Sequence, residues 1–398
     1  MTVAGSKKMD GAAAAPYAPT ANLDTVVFSK VLDRDPPTID KIISACENVG
    51  FFYLDISDQY SATMLENLDR LNIVMKDWFD QPTAAKRKEL AISMASHGFV
   101  EAALLSQVPV DLLAEANGNV VLRYKPIGSQ AGTHGGRDGW EVLKTGSFEL
   151  AGRWGLPPVV EDNLQTFTSF QSQCHYITRV LLDRISNALG LKGAQSLNHF
   201  HRSDCPSKSA LAFLHYIPMD PTGGYAGHNV HTDYGTLTLV FAPQWGLQVL
   251  STPEISSSSS ASSSTSHDSD ESLDSGYHRG HSEGHANTNP KKERSETSME
   301  WQYVEPRPGC AVVNVADVLR FLTRDRLKSA VHRVLPLPDV DRYSVTYFLR
   351  PSDDVEFIDG DGRLTNVMDW YDRKNNMYEA SYGTQDRSLL IGGLYKEV

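Results

Sequence analysis

The chain has 398 residues, 40% of them hydrophobic, and a formal net charge of -12. That is apolar content enough for a sizeable core, while the acidic balance excludes a nucleic-acid partner held by phosphate neutralisation. No apolar run reaches the roughly 18–20 residues of a membrane helix, and the opening "MTVAGSKKMDGAAAAPYAPTAN" is too weakly apolar for a secretory signal.

Residues 1–21 are expected to form a flexible tail. Beyond it, Thr38 is placed to cap a helix with Ile39, Ile42, Ile43, Cys46 and Val49 on one face, ended by Gly50. "FFYL" (51–54) reads as a short buried strand. Met64, Leu68, Leu71, Met75 and Phe79 mark a second amphipathic helix that stops before Pro82, and a third is expected over about 161–189. Residues 22–200 thus form an N-terminal helical and mixed region packing on a core. Cys46, Cys174, Cys205 and Cys310 lack metal-type spacing and suit reduced thiols in a cytoplasmic protein.

The period changes in the second half, 201–398. "SALAFLHYIP", "TLTLVF", "GLQVL", "WQYVEP", "CAVVNV" and "RYSVTYFLRP" are short β-rich runs separated by Gly, Pro and Asp. Such spacing predicts a β-sandwich or jelly roll, giving an α+β chain whose active half is β. Residues 254–299 interrupt it with 15 serines in 46 positions, a composition that predicts a disordered insertion.

Chemistry gathers in "GHNVHTDYGTLTLV" (227–240). On an extended backbone residues i and i+2 face the same way, so His231 and Asp233 can address one point. By the same parity His228 turns away and reads as a surface or loop residue. Two imidazoles and one carboxylate form the facial triad of non-haem iron oxygenases, which makes a distant histidine necessary. His332, in "KSAVHRVLP", lies 99 residues after Asp233, and removing the insertion leaves 53, a distance that three or four short strands fill. Ten residues further, alternation puts Arg342, Ser344, Thr346 and Phe348 on one face of a strand. An inward guanidinium beside a hydroxyl suits a carboxylate held bidentately.

Together "HTD" (231–233), "HRV" (332–334) and "RYS" (342–344) resemble the 2-oxoglutarate- and Fe(II)-dependent dioxygenases, in the isopenicillin N synthase-like branch. "IISACENVGFFYL" (42–54) and "VVNVADVLRFLT" (312–323) are similar to that branch's entrance and its strand-and-turn before the distal histidine. The resemblance covers roughly residues 22–380 apart from the insertion, and matches only loosely near 95–150. It implies a double-stranded β-helix, the jelly roll, with flanking N-terminal and C-terminal helices. It further implies Fe(II) on His231, Asp233 and His332, with 2-oxoglutarate and O2 as co-substrates. The keto acid's tail carboxylate would sit on Arg342 and Ser344, and Tyr216 matches a co-substrate tyrosine. Leu214 departs from the branch's asparagine, and Ala316 from its usual glycine. His215 and Phe348 are expected to line the substrate pocket.

The implied reaction is hydroxylation, desaturation or ring rearrangement of a small metabolite. An iron oxidase that does not use 2-oxoglutarate remains an alternative, told apart by succinate formation. A catalytically silent ligand-binding relative would have lost a ligand or the arginine, and this chain keeps both.

Overall fold

A computed structural model describes residues 19–59, 61–88, 124–132, 136–152, 156–219, 225–251 and 299–394. Met1–Ser251 with Trp301–Val398 form one unit and Thr252–Glu300 a second, nearly all of it outside the described residues. The expectations for the tail up to residue 18 and for the serine-rich segment up to residue 298 therefore fall outside them too.

The first elements are β1 (Thr25–Val27), α1 (Phe28–Leu32), α2 (Pro36–Asn48), β2 (Phe51–Asp55) and α3 (Ala62–Phe79). Helix α2 starts earlier than its apolar period suggests. Asp35, not Thr38, is the cap, and its carboxylate accepts from the Thr38 amide at 3.1 Å. Pro36 and Pro37 fill the first turn, where a missing N–H leaves nothing unsatisfied. There follow β3 (Tyr124–Lys125), β4 (Arg137–Asp138), β5 (Trp140–Gly146), α4 (Ser147–Gly152), α5 (Pro158–Glu161) and α6 (Leu164–Ala188). The helix expected over about 161–189 is α6, starting three residues later, with the short α5 ahead of it.

The β half comprises β6 (Ala210–Tyr216), β7 (Tyr225–Ala226), β8 (His228–His231), β9 (Leu237–Phe241), β10 (Leu247–Ser251), β11 (Glu300–Tyr303) and β12 (Cys310–Val315). It continues through α7 (Asp317–Leu322), β13 (His332–Val334), β14 (Arg342–Leu349), β15 (Glu356–Ile358), β16 (Leu364–Asn366), α8 (Val367–Glu379) and α9 (Tyr382–Asp386). Eight strands form one sheet in the order β1-β2-β12-β9-β14-β6-β5-β3, and four form another, β11-β10-β13-β8. This is the α+β jelly roll, with helices before and after its core.

Alternation along β6 and β14 gives the large sheet two unlike faces. Phe213, Tyr343, Val345 and Tyr347 pack with Phe167, Leu181 and other inner residues of the helices. Ala212, Leu214 and Tyr216 point the other way, into a cluster with Trp140, Val249 and Val334 that fills the space between the sheets. Burying one such large side chain contributes about 1.5–3 kcal/mol, so the helical layer is packed firmly against the back of the large sheet. All four cysteines are unpaired. Among the described residues no helix is long and apolar enough to cross a membrane.

Candidate functional site

Strands β8 and β13 are antiparallel neighbours, and their register sets His332 directly opposite His231. Asp233 follows β8 by two residues. One ligand atom from each of His231, Asp233 and His332 lies within 4.8 Å of the others, and all three residues are buried. Each imidazole has its Nδ1 engaged, His231 with the Asn229 carbonyl at 2.7 Å and His332 with the Ala330 carbonyl at 3.0 Å. A carbonyl only accepts, so Nδ1 carries the proton and Nε2 keeps its lone pair. Those Nε2 atoms stand 3.8 and 3.9 Å from Asp233 Oδ1.

The carboxylate is aimed as well. Its other oxygen, Oδ2, accepts from Thr238 Oγ1 at 2.6 Å and from Asn314 Nδ2 at 3.0 Å, leaving Oδ1 for the shared point. Burial alone would raise the Asp233 carboxyl, but His332, His231 and these two hydrogen bonds hold it below its usual range. Burial, and then His332, push His231 down to about 3. With both Nδ1 atoms tied to carbonyls and Oδ2 occupied, the set offers two imidazole Nε2 atoms and one carboxylate oxygen, which fits a borderline divalent ion such as Fe(II).

Arg342 opens β14 on the same face of the large sheet as Leu214 and Tyr216. It is 2% exposed, and its guanidinium lies 5.0 Å over the Tyr216 ring. Nη1 donates to Ser344 Oγ at 3.3 Å, whereas Nε and Nη2 are buried with no hydrogen-bond partner. A buried cation with two idle donors is costly unless an anion fills the place, so the arrangement suits a carboxylate. Gly246 makes room for it: a Cβ there would come within 2.9 Å of Arg342 Cδ, at a φ of +133° that other residues rarely adopt.

Two expectations are corrected. His228 does not turn away: its ring stacks on His231 at 4.2 Å between centroids and on Trp140 at 4.4 Å. The cause is a register shift between His332 and Val334, whose partners on β8 are His231 and His228, so β8 carries one extra residue. Such a bulge reverses parity. Gly227 abuts the bulge, where any Cβ would overlap the Val334 carbonyl. His215 lies on the other face of the sheet, stacked on Tyr343 at 4.7 Å, with its nitrogens 2.9 Å from Glu141 Oε1 and 2.8 Å from Asp341 Oδ1. It is part of the helical layer, not of the space between the sheets. Phe348 shares the Arg342 face and packs partly buried against that inner cluster. Ala316 is extended, with φ −108°, so this turn has no need of glycine.

Several residues that no motif announced support the site. Lys374 on α8 is fully buried and donates to Thr232 O at 2.7 Å, to Thr232 Oγ1 at 2.6 Å and to Asp317. It clamps the residue between His231 and Asp233 from behind. Tyr378, also on α8, meets the His231 ring edge-on at 5.9 Å. A cavity of about 740 Å3 opens between residues 129–131 and 136–137 on one side and 379–383 on the other. Asn229 ties both walls together, donating to Ala131 O and to Gln385 Oε1, each at 2.9 Å.

The 2OG-Fe(II) oxygenase superfamily matches residues 264–351, a span that holds His332, Arg342 and Ser344. A 2-oxoglutarate-dependent dioxygenase of Gibberella zeae is 39% identical over 384 residues, 95% of each chain. The 2-oxoglutarate-dependent dioxygenase gloE of Glarea lozoyensis is 30% identical over 383 residues, 95% of this chain and 94% of that one. Among solved structures, a 2OG-Fe(II) oxygenase family protein from Caulobacter crescentus superposes with a TM-score of 0.57 at 19% identity, covering 90% of this chain and 99% of that one. At that identity the likeness is one of fold.

Proposed function

The chain belongs to the 2OG-Fe(II) oxygenase superfamily, and from that premise we propose that it oxidises a small-molecule specialised metabolite while 2-oxoglutarate is decarboxylated. In this reading His231, Asp233 and His332 hold the iron. Arg342 and Ser344 take the far carboxylate of 2-oxoglutarate, with Tyr216 beneath the guanidinium. The observation that carries the reading is the pair of idle, buried Arg342 nitrogens on the sheet face that lines the same space as the triad.

Bound iron supplies the activation of O2 that side chains cannot, with succinate and CO2 as the products of the keto acid. The protein's share is geometry. Carbonyl-fixed imidazoles and a carboxylate held by Thr238 and Asn314 arrive pre-oriented. Trp140 and His228, stacked on one another beside His231, form a ring-lined wall that keeps the substrate close and water out. Hydroxylation is the default outcome, and desaturation or ring rearrangement follows when the substrate is held differently.

The test is a turnover assay with Fe(II), O2 and a panel of candidate metabolites, reading succinate against oxidised product. Equal amounts support the reading, and product without succinate replaces it with the oxidase alternative. We further propose that the serine-rich segment 254–299 is dispensable for this chemistry. A chain lacking it should turn over at near the parent rate, and a folded but inactive deletion would show otherwise.

A further inference from the structure

Lys144 has no place in the chemistry above, yet its position is specific. Its partner across β5 and β6 is Ala212, and Ala212 in turn pairs with Thr346 on β14. Directly paired residues share a face, so Lys144 projects from the side that carries Arg342, Ser344 and Phe348. The side chain is half-buried, and among the described residues its amine makes no hydrogen bond or ion pair.

Arg350 is its cationic neighbour. It is 4% exposed and lies over the rings of Tyr234, at 5.4 Å, and Phe348, at 5.2 Å. It donates to the Lys208 carbonyl, its Nε is buried without a partner, and Asp353 offsets its charge without forming an ion pair with it. A third cation, Lys125, is neutralised by Asp138. Burial, then Arg350 and Lys125, push the Lys144 amine down to about 8, and Asp233 alone pulls the other way.

The charges in this space do not balance. Asp233 is committed to the metal, and the 2-oxoglutarate dianion answers the iron and Arg342. With Arg350 offset in part by Asp353, Lys144 is left without a counter-ion beside a second cation in a poorly solvated wall, a place that favours an added anion. The rings of Tyr234, Phe348 and Tyr371 lie beside Arg350, so an occupant apolar in body and acidic at one end suits this place.

We propose that the substrate is an anion, a small organic acid whose carboxylate is held by Lys144 in the positive field of Arg350. The inference rests on the dioxygenase reading and adds to it the substrate class and the residues that select it.

The experiment keeps the two separable. Anaerobic enzyme is first loaded with Fe(II) and 2-oxoglutarate, and the visible charge-transfer band is recorded. Absence of that band in the parent protein counts against the dioxygenase reading itself. The loaded enzyme is then titrated calorimetrically with benzoate, phenylacetate and 4-phenylbutyrate and with their primary amides. At least one acid is expected to bind about tenfold or more tighter than its amide, the discrimination a charge-assisted contact gives. Lys144→Met should keep the band and the affinity for 2-oxoglutarate while erasing the preference, and Lys144→Arg should restore it. Acids and amides that bind alike, or acids that do not bind at all, overturn the proposal. So does a Lys144→Met protein that keeps the preference or loses 2-oxoglutarate instead.

Discussion

The two faces of strands β6 and β14 carry opposite solutions to the same problem, a buried positive charge. On the helical side Lys86 donates to Glu141 at 2.8 and 3.0 Å and to the Phe79 carbonyl at 2.8 Å. Tyr124 and His215 complete that carboxylate, and Asp341 answers the far side of His215. On the other side Arg342 has Tyr216 against its guanidinium, a long hydrogen bond to Ser344 and two buried nitrogens without a partner, and no carboxylate. A saturated network is structure, and a vacant guanidinium is an invitation to a ligand. Burial alone does not tell them apart, because both are shielded from water. The count of unmet donors does.

Substitutions on each face should therefore fail in different ways. Glu141→Gln strands Lys86 and His215 without their anion and should lower folding stability by about 3–5 kcal/mol, read by urea unfolding. Its affinity for 2-oxoglutarate, measured on folded protein, should stay within about twofold, since nothing on the site face has changed. Arg342→Met should do the reverse. Affinity for 2-oxoglutarate should fall by about 2–4 kcal/mol, while stability holds or rises because an unpaired charge has gone. A strongly destabilised Arg342→Met protein would mean the guanidinium is a structural partner after all.

Next in size is Thr238→Val, which removes the hydroxyl that aims Asp233 without touching the three ligands. Iron affinity should drop about 10–100-fold by competition titration, with little change in the unfolding midpoint. The smallest effect is a slope. Burial opposes the His215 proton, but Glu141 and Asp341 together raise it above its ordinary value. A raised folded value means its stabilisation is complete below about pH 6.5 and fades as pH climbs through that raised value. His215→Gln should flatten that alkaline decline in a series of unfolding midpoints, and an unchanged slope would remove His215 from the account.

Much of this was legible in the sequence, and the exceptions share a cause. That His231 and Asp233 meet His332, and that Ser344 lies beside Arg342, could be anticipated because each sits in a short motif whose parity or spacing is local. His228 was misread because one extra residue in β8 reverses parity, and no residue type announces a bulge there. Gly227, with no room for a Cβ, was the available hint. His215 could have been excluded: alternation along β6 puts it on the face opposite Tyr216, which was already assigned to the co-substrate side. Lys374, Asn314 and Thr238 could not have been found this way. They reach the site from α8, β12 and β9, and only sheet register and helix packing bring those elements together. Lys144 lay in the loosely matching stretch near 95–150, where no motif guided its strand.

The central claim is that one triad and one vacant guanidinium form a single site for Fe(II) and 2-oxoglutarate. Anaerobic titration of the protein with both, followed at the visible charge-transfer band, tests it most directly. The band should develop in the parent chain, be absent in Asp233→Ala at any concentration, and in Arg342→Met require roughly 100-fold more 2-oxoglutarate. No band in the parent chain, or one that forms in Arg342→Met at the parent's concentration, would contradict it.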